Sequence, residues 1–392
     1  MFRKFSIEEL AVMAILLEEE ESGCVEKQLK KRRFAVHPMN VKRKKEGEFY
    51  TLFKELVDDE ERFLKYFRMS KYEFETIVTK IKPMITKQDT KFKESLSPRE
   101  KVAVCLRFLA TGDSYLTIAY SYRLGVSTVH NIIVEVCTAI IKEMTEECMP
   151  TPTKKKWLKI SEEFWHVWNF PNCLGAIDGK HVVITAPANS GSLYFNYKKT
   201  FSIVLMAIVD ANYKFICVDI GAYGKNSDGG IFSNSIIGKA LPADTLNVPE
   251  EKYLPGTEIL MPHVIIGDEA FPLKTYLMRP YPQPQTHVQC KRNFNDRLSR
   301  ARKVVENTFG QLAQKFRLYN RRIQLKPENA DKVIMTTCIL HNFIKYNNAH
   351  ARENTAVSNL KGLPRQGGSS QSTAFDVRNK LALFFDSPAG AM

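Results

Sequence analysis

The sequence predicts an α/β fold preceded by an all-helical region. Three observations predict it. Apolar residues follow helical spacing up to about residue 150, whereas from residue 173 onward short apolar runs at 174–184, 201–209 and 215–221 read as strands. A Pro/Thr/Lys connector at 151–159 separates the two regimes. In the second region strand-like runs are interspersed with helical patterns, which suits a sheet covered by helices.

The chain has 392 residues, enough for two domains, with 57 Lys and Arg against 43 Asp and Glu. The net charge of +14 favours an anionic partner, nucleic acid before an acidic membrane surface. Eight cysteines are scattered singly and form no CxxC pair, so neither a zinc site nor a disulfide framework is expected, and reduced thiols fit better. The most apolar run, 203–209, is too short to span a bilayer. Glu18 to Glu21 follow the apolar patch at 10–17 where a secretory cleavage site would need small residues, so no secretion is expected.

Residues 1–48 are expected to be basic and largely disordered. Lys30-Lys31-Arg32-Arg33 and Lys42-Arg43-Lys44-Lys45 suit nuclear import or DNA contact, or a solvated basic tail. Residues 49–150 form the helical, helix-turn-helix-like region. Phe63, Tyr66, Phe67, Tyr72, Phe74 and Ile77 are its expected buried set near the start, and Ser70 with Glu73 makes a capping box. Ser97-Pro98-Arg99-Glu100 opens the next helix with an N-cap Ser and Pro at N1. A short helix at 115–123, a tight turn at 124–127 and a long helix capped by Ser127 then give the helix-turn-helix pattern. In that reading Ser127, Thr128, His130 and Asn131 start the recognition helix; a plain helical bundle fits the same spacing. The second domain spans 160–346. Its final helix is expected at 329–346, and 242–262 is a turn-rich insertion. The tail, 347–392, is expected to be mostly disordered outside 377–385.

Candidate chemistry comes from carboxylates in apolar surroundings. Asp178 interrupts one strand and Asp268 ends another, although Asp is disfavoured in strands. Glu306 lies beside the apolar stripe Val305, Phe309, Leu312 and Phe316 of one amphipathic helix, with small residues Gly310 and Ala313 further along its face. Three converging carboxylates repel unless cations lie among them, and oxygen-only ligands select Mg²⁺ or Mn²⁺. Such ions clamp an in-line phosphoryl displacement. Asp228 is a fourth candidate, with capping of the following helix as its structural alternative. Lys180 and His181 contact DNA phosphate or water, or else support the site structurally. His341 reads as a packing histidine. Lys291, Arg292, Arg297, Arg300, Arg302, Lys303, Arg317, Arg321 and Arg322 flank the acidic set, where a phosphate backbone is expected to run.

Four motifs occur in order: Gly175-Ala176-Ile177-Asp178-Gly179-Lys180-His181; Ile266-Gly267-Asp268-Glu269-Ala270-Phe271-Pro272-Leu273; Leu298-Ser299-Arg300-Ala301-Arg302 with Val305-Glu306-Asn307-Thr308-Phe309-Gly310; and Leu340-His341-Asn342-Phe343. Together they resemble the PIF/Harbinger transposases and the nucleases derived from them, over roughly residues 96–346. The resemblance implies an RNase H-like core with a DDE metal site of Asp178, Asp268 and Glu306, Asp228 as an additional metal ligand, and DNA as substrate. It also implies helix-turn-helix segments ahead of the core, a nuclear location and a separate Myb-like DNA-binding partner, with a homo-oligomer left open. Residues 239–262 are longer than the family's usual connection. The intact carboxylates favour an active nuclease; a domesticated DNA-binding or scaffold protein without turnover is the alternative.

Overall fold

In the computed structural model the described residues are 36–90, 94–243, 245–347 and 372–390. The first basic cluster, Lys30 to Arg33, lies outside them. The chain divides into two units, 1–42 and 43–392. The described part of the first holds one helical turn, Pro38–Val41. All that follows concerns the second.

After one helical turn, Arg43–Glu46, come six helices: α1 Leu52–Asp58, α2 Glu60–Phe67, α3 Lys71–Ile85, α4 Pro98–Thr111, α5 Tyr115–Tyr122 and α6 Val126–Cys148. The start signals act as their chemistry dictates. Ser70 and Glu73 form a complete capping box on α3. At α4 Ser97 accepts the Glu100 N–H, but the Glu100 side chain turns inward to Arg43 Nη1 at 2.6 Å. Gly112 closes α4 in the left-handed conformation (φ 67°), which glycine adopts without strain. Of the expected buried set, Tyr72 is exposed on the first turn of α3.

The long helix α6 begins at Val126 with Gly125 as N-cap, so Ser127 does not cap it. The axes of α5 and α6 differ by 102°. Buried Val129, Ile132, Ile133, Val136 and Ile140 pack α6 into one core shared with the α/β region. No single helix among the described residues is long and apolar enough to cross a membrane.

After α7, Lys154–Trp168, comes a five-stranded mixed sheet. Its strands are β1 Cys173–Val183, β2 Ser202–Val209, β3 Phe215–Tyr223, β6 Val264–Ile266 and β7 Leu277–Met278, in the order β3-β2-β1-β6-β7. β1 to β3 are antiparallel neighbours, while β6 runs parallel to both β1 and β7. Every residue of β2 is buried, as expected for a strand covered on both faces. Between β3 and β6 lie α8 Asp228–Asn234, α9 Ile236–Ala240 and the short hairpin β4 Lys252–Tyr253 with β5 Leu260–Met261. The insertion therefore has a small hairpin of its own. Asn172 Nδ2 donates to the carbonyls of Lys252 and Met261 and fixes it at the base of β1, leaving the β1–β6 pairing in place.

The 27-residue helix α10, Gln289–Lys315, crosses the sheet with Phe294, Leu298, Ala301, Val305 and Leu312 buried. α11, Pro327–Asn347, is buried along most of its length. Its Asn342 accepts from Phe215 N–H and donates to the carbonyls of Phe215 and Cys148, tying edge strand β3 to α6. The tail carries a helix longer than the sequence suggests, α12 Ser372–Asp386. It forms because Leu381, Ala382, Phe384 and Phe385 find an apolar seat against α7 and α10; Phe385 packs on Phe170 and Phe294.

Candidate active site

The two aspartates meet through strand register. Ala176 of β1 pairs with Ile266 of the parallel neighbour β6. Asp178 and Asp268 each stand two residues further on, at the same end of the two strands, and the Asp268 charge acts on Asp178. Asp178 remains inside β1, where its Oδ1 accepts the Gly179 N–H at 2.9 Å. β6 ends at Ile266, and Asp268 turns the chain by accepting the Ala270 N–H at 2.9 Å.

Glu306 comes from α10 and is bracketed by Arg302 one turn earlier. Arg302 Nη2 pairs with Glu306 Oε1, while Nη1 lies 3.7 Å from Asp178 Oδ2. The guanidinium thus bridges helix and strand. Gly310, one turn beyond Glu306, faces open space: a Cβ there would meet nothing within 4 Å.

Asp228 arrives from the other side of β1. Successive strand residues face opposite ways, so position 179 points away from α10. There the missing side chain makes room for a carboxylate: a Cβ on Gly179 would stand 2.6 Å from Asp228 Oδ1. The N-cap of α8 is Ser227, which accepts the Gly230 N–H; Asp228 is the first helical residue. Capping therefore does not explain the Asp228 side chain.

The electrostatics reflect this crowding. Burial, aided by Asp268 and Asp228, pushes the Asp178 carboxyl up to about 7, against the pull of Arg302 and the Gly179 N–H. Burial works against the charge of Arg302, but Asp178, Glu306 and Asp268 outweigh it and raise its pKa. Lys180, over the Phe309 ring, has its ammonium pKa lowered by burial and by Lys198, with Asp178 opposing.

Carboxylate oxygens are the donors that a hard divalent cation takes, and the seat of Arg302 between Asp178 and Glu306 already holds positive charge. The set fits such an ion in chemistry. It is not a closed cage: among the described residues no three His, Cys, Asp or Glu side chains stand together as a ready-made metal site.

The predicted DNA-contacting residues separate into groups. Arg300 and Lys303 are exposed on α10. Arg302 is the internal cation of the acidic cluster, and Lys180 stands beside it. Arg297 turns the other way, donating to the Gly390 carbonyl at 3.1 Å with its guanidinium over Phe385. Ser127 and Asn131 are exposed at the start of α6, and Thr128 is half-buried. His130 is engaged with α11, accepting from Asn329 Nδ2 at 3.4 Å, and lies edge-on to Tyr115. His181 bonds Ser202 Oγ at 2.9 Å. His341 bonds the Tyr213 carbonyl at 2.8 Å, as a packing histidine does. Sequence reasoning missed the internal role of Arg302, although its i,i+4 spacing to Glu306 was a legible signal. It also missed Gly179, whose role depends on a loop that returns from a distant part of the chain.

Residues 177–342 match the family model described as DDE superfamily endonuclease. The protein named ALP1-like of Arabidopsis thaliana is 30% identical over 302 residues, covering 73% of this chain and 71% of that protein. Antagonist of like heterochromatin protein 1, from the same plant, is 25% identical over 73% of this chain and 74% of its own length. The candidate nuclease HARBI1 of Homo sapiens is 22% identical, over 64% of this chain and 69% of its own. No solved structure matches the chain. The matched segment opens one residue before Asp178, takes in Asp268 and Glu306 and ends on Asn342, and together with these relatives it places the chain in the Harbinger transposase-derived DDE endonuclease family.

Proposed function

We propose that this protein is a divalent-metal-dependent DNA endonuclease of transposase type, acting through Asp178, Asp268 and Glu306 with Asp228 as a further ligand. The observation that carries this reading is the β1–β6 register, which sets Asp178 beside Asp268, with Arg302 joining Asp178 to Glu306. The mixed sheet, centred on β1 with β2 antiparallel to both its neighbours, suits an RNase H-like core.

Asp178, Asp268, Glu306 and Asp228 would hold Mg²⁺ or Mn²⁺. The chemistry such ions supply is Lewis-acid stabilisation of an in-line phosphoryl displacement. The chain's own residues do the rest. Arg302 fixes the Glu306 and Asp178 carboxylates relative to each other. Exposed Arg300 and Lys303 lie one to two turns before Glu306, where they contact the phosphate backbone. The reaction hydrolyses a phosphodiester, and the 3′-hydroxyl it leaves is available for strand transfer.

Within the same reading, α4 to α6 are a helix-turn-helix-like DNA-binding region, with Ser127, Thr128 and Asn131 nearest the DNA. The site of action is the nucleus, and a Myb-like DNA-binding protein is the partner. A second reading, a chromatin-associated scaffold without turnover, is favoured by one observation: a relative covering 73% of the chain is named for antagonism of a heterochromatin protein.

The test is nicking of supercoiled plasmid by purified protein with Mg²⁺ or Mn²⁺. Asp268→Asn should abolish it. Nicking that survives this change removes the site assignment, and its absence from wild-type protein favours the scaffold reading.

A further inference from the structure

The segment between β1 and β2 is a built loop with an unusual surface. Its hub is Asn196, almost fully buried. The amide nitrogen of Asn196 donates to Thr200 Oγ1 at 2.9 Å and Ser202 Oγ at 2.8 Å, and its oxygen accepts the N–H groups of Lys198 and Thr200. Ser202 also bonds His181, and Lys225 N–H donates to the Leu193 carbonyl, which stitches the loop to the segment leading into Asp228. A loop so thoroughly bonded has a fixed shape.

Its alternate residues nevertheless point large apolar groups at solvent. Leu193, Phe195 and Tyr197 are 47%, 42% and 53% exposed, while Tyr194 and Asn196 between them turn inward. Single exposed apolar side chains need no explanation, but three within five residues of one loop call for one. Lysines stand among them: Lys198 lies 5.4 Å over the Tyr197 ring, and Lys199 and Lys225 are exposed nearby. The patch is also close to the acidic cluster. The Tyr197 ring packs edge-on against His181 at 5.4 Å. His181 is three residues along β1 from Asp178, about 10 Å at strand rise, and alternation puts it on the face of β1 that Asp228 approaches.

Cations alone suffice to grip a duplex backbone, whose bases are stacked away. Exposed ring faces interleaved with lysines suit a strand whose bases are unpaired. We propose that this loop is a stacking platform for unpaired DNA bases beside the carboxylate site, with Phe195 and Tyr197 offering ring faces and Lys198, Lys199 and Lys225 holding the phosphates. The substrate it selects is a frayed or single-stranded end next to the bond to be cut. This rests on the DNA-endonuclease reading above and narrows its substrate.

The test is binding of labelled DNA in EDTA, measured by fluorescence anisotropy, which needs no turnover. A blunt duplex is compared with the same duplex carrying a single-stranded extension on either the 3′ or the 5′ end, with 2-aminopurine in the extension. Wild-type protein should bind an extended duplex about tenfold more tightly than the blunt one, the contribution of roughly one stacked base, and should quench the 2-aminopurine. Tyr197→Ala should remove preference and quenching while blunt-duplex affinity stays the same. Tyr197→Trp should keep both. Phe195→Ala provides a second probe if Tyr197→Ala does not fold. Equal affinity for blunt and extended DNA in wild type overturns the platform alone. So does a preference that survives Tyr197→Ala and Phe195→Ala combined. Failure to bind any DNA overturns the platform and the endonuclease reading together. A preference for extended DNA without nicking supports the platform and leaves only turnover refuted.

Discussion

Replacing Gly179 with Ala tests whether Asp228 belongs to the acidic site. The new Cβ would stand 2.6 Å from Asp228 Oδ1 and 3.1 Å from its Cγ. Ordinary contact begins near 3.4 Å, so the carboxylate must retreat by about 0.8 Å. The clash is with the tip of a side chain at the first position of α8, which can rotate, and not with backbone. Gly179 has an ordinary φ, and alanine there loses less chain entropy on folding, by about 0.4–1 kcal/mol. The two effects nearly cancel, and the midpoint of denaturant unfolding should move by less than about 1 kcal/mol. Function is less forgiving. A misplacement near 1 Å costs on the order of a hundredfold in rate. Gly179→Ala should therefore nick supercoiled DNA about a hundredfold more slowly, and its Mn²⁺ affinity by titration calorimetry should fall in step. Asp228→Asn should reproduce both losses with no steric change. A Gly179→Ala protein that keeps wild-type Mn²⁺ affinity and nicking would refute the assignment of Asp228, because the displacement follows from geometry alone.

Two further predictions concern charge. Arg302→Met removes the cation that joins Asp178 to Glu306 and leaves both carboxylates half-buried and uncompensated. In EDTA it should unfold with up to about 3 kcal/mol less stability than wild type, and Mn²⁺ should narrow the gap; a deficit that Mn²⁺ leaves unchanged argues against a shared cation seat. His341 gives a pH signature. Burial, against the Tyr213 carbonyl bond, depresses its pKa to about 3, below the ordinary value near 6.5. Between those values the unfolded chain takes up a proton that the folded chain refuses. Its contribution is complete above about pH 6.5 and falls by about 1.4 kcal/mol per pH unit below it. Asp178 acts in the opposite sense as pH falls through 7, so the comparison is with His341→Gln. Wild type should lose about 2 kcal/mol more than that variant between pH 6.5 and 5 in urea melts, and parallel losses would rule out the buried neutral imidazole.

Strands β1, β2, β3 and β6 and the principal helices were legible because each rests on local pattern, whereas the two-residue strands β4, β5 and β7 were not. The continuous apolar run at 201–209, the Ser70/Glu73 box and the stripe along α10 all depend on residues within one or two turns of each other. What sequence could not supply was register and return. That Asp178 and Asp268 stand abreast follows from Ala176 pairing with Ile266, a contact between residues 90 positions apart that no periodicity encodes. Arg297 and Arg302 look alike on a list of basic residues. They sit five residues apart on α10, so they emerge on different sides of the helix. One meets the acidic cluster and the other the C-terminal segment. The aromatic loop at 193–197 escaped notice for a related reason. Its residues resemble ordinary core material until the buried Asn196 turns their alternate partners outward.

The C-terminal helix has a consequence for the site that its distance hides. α12 grips the first half of α10: Asn293 donates to Asp386 at 2.8 Å, Arg297 donates to Gly390, and Phe385 fills the space between Phe170 and Phe294. It also holds the segment after β7, where Tyr281 bonds Asn379 at 2.7 Å and Arg378 donates to the Pro280 carbonyl at 3.1 Å. Glu306 lies nine residues beyond Arg297 on the same unbroken helix, about 14 Å at helical rise. A helix transmits rotation about its axis with little loss over that span. The rotational setting of Glu306 opposite Asp178 is therefore fixed at two points. One is the burial of Ala301, Val304, Val305 and Thr308 against the sheet. The other is the clamp at the start of α10, built from residues 372–390. A tail that composition marks as mostly disordered is thus part of what sets the rotation of Glu306.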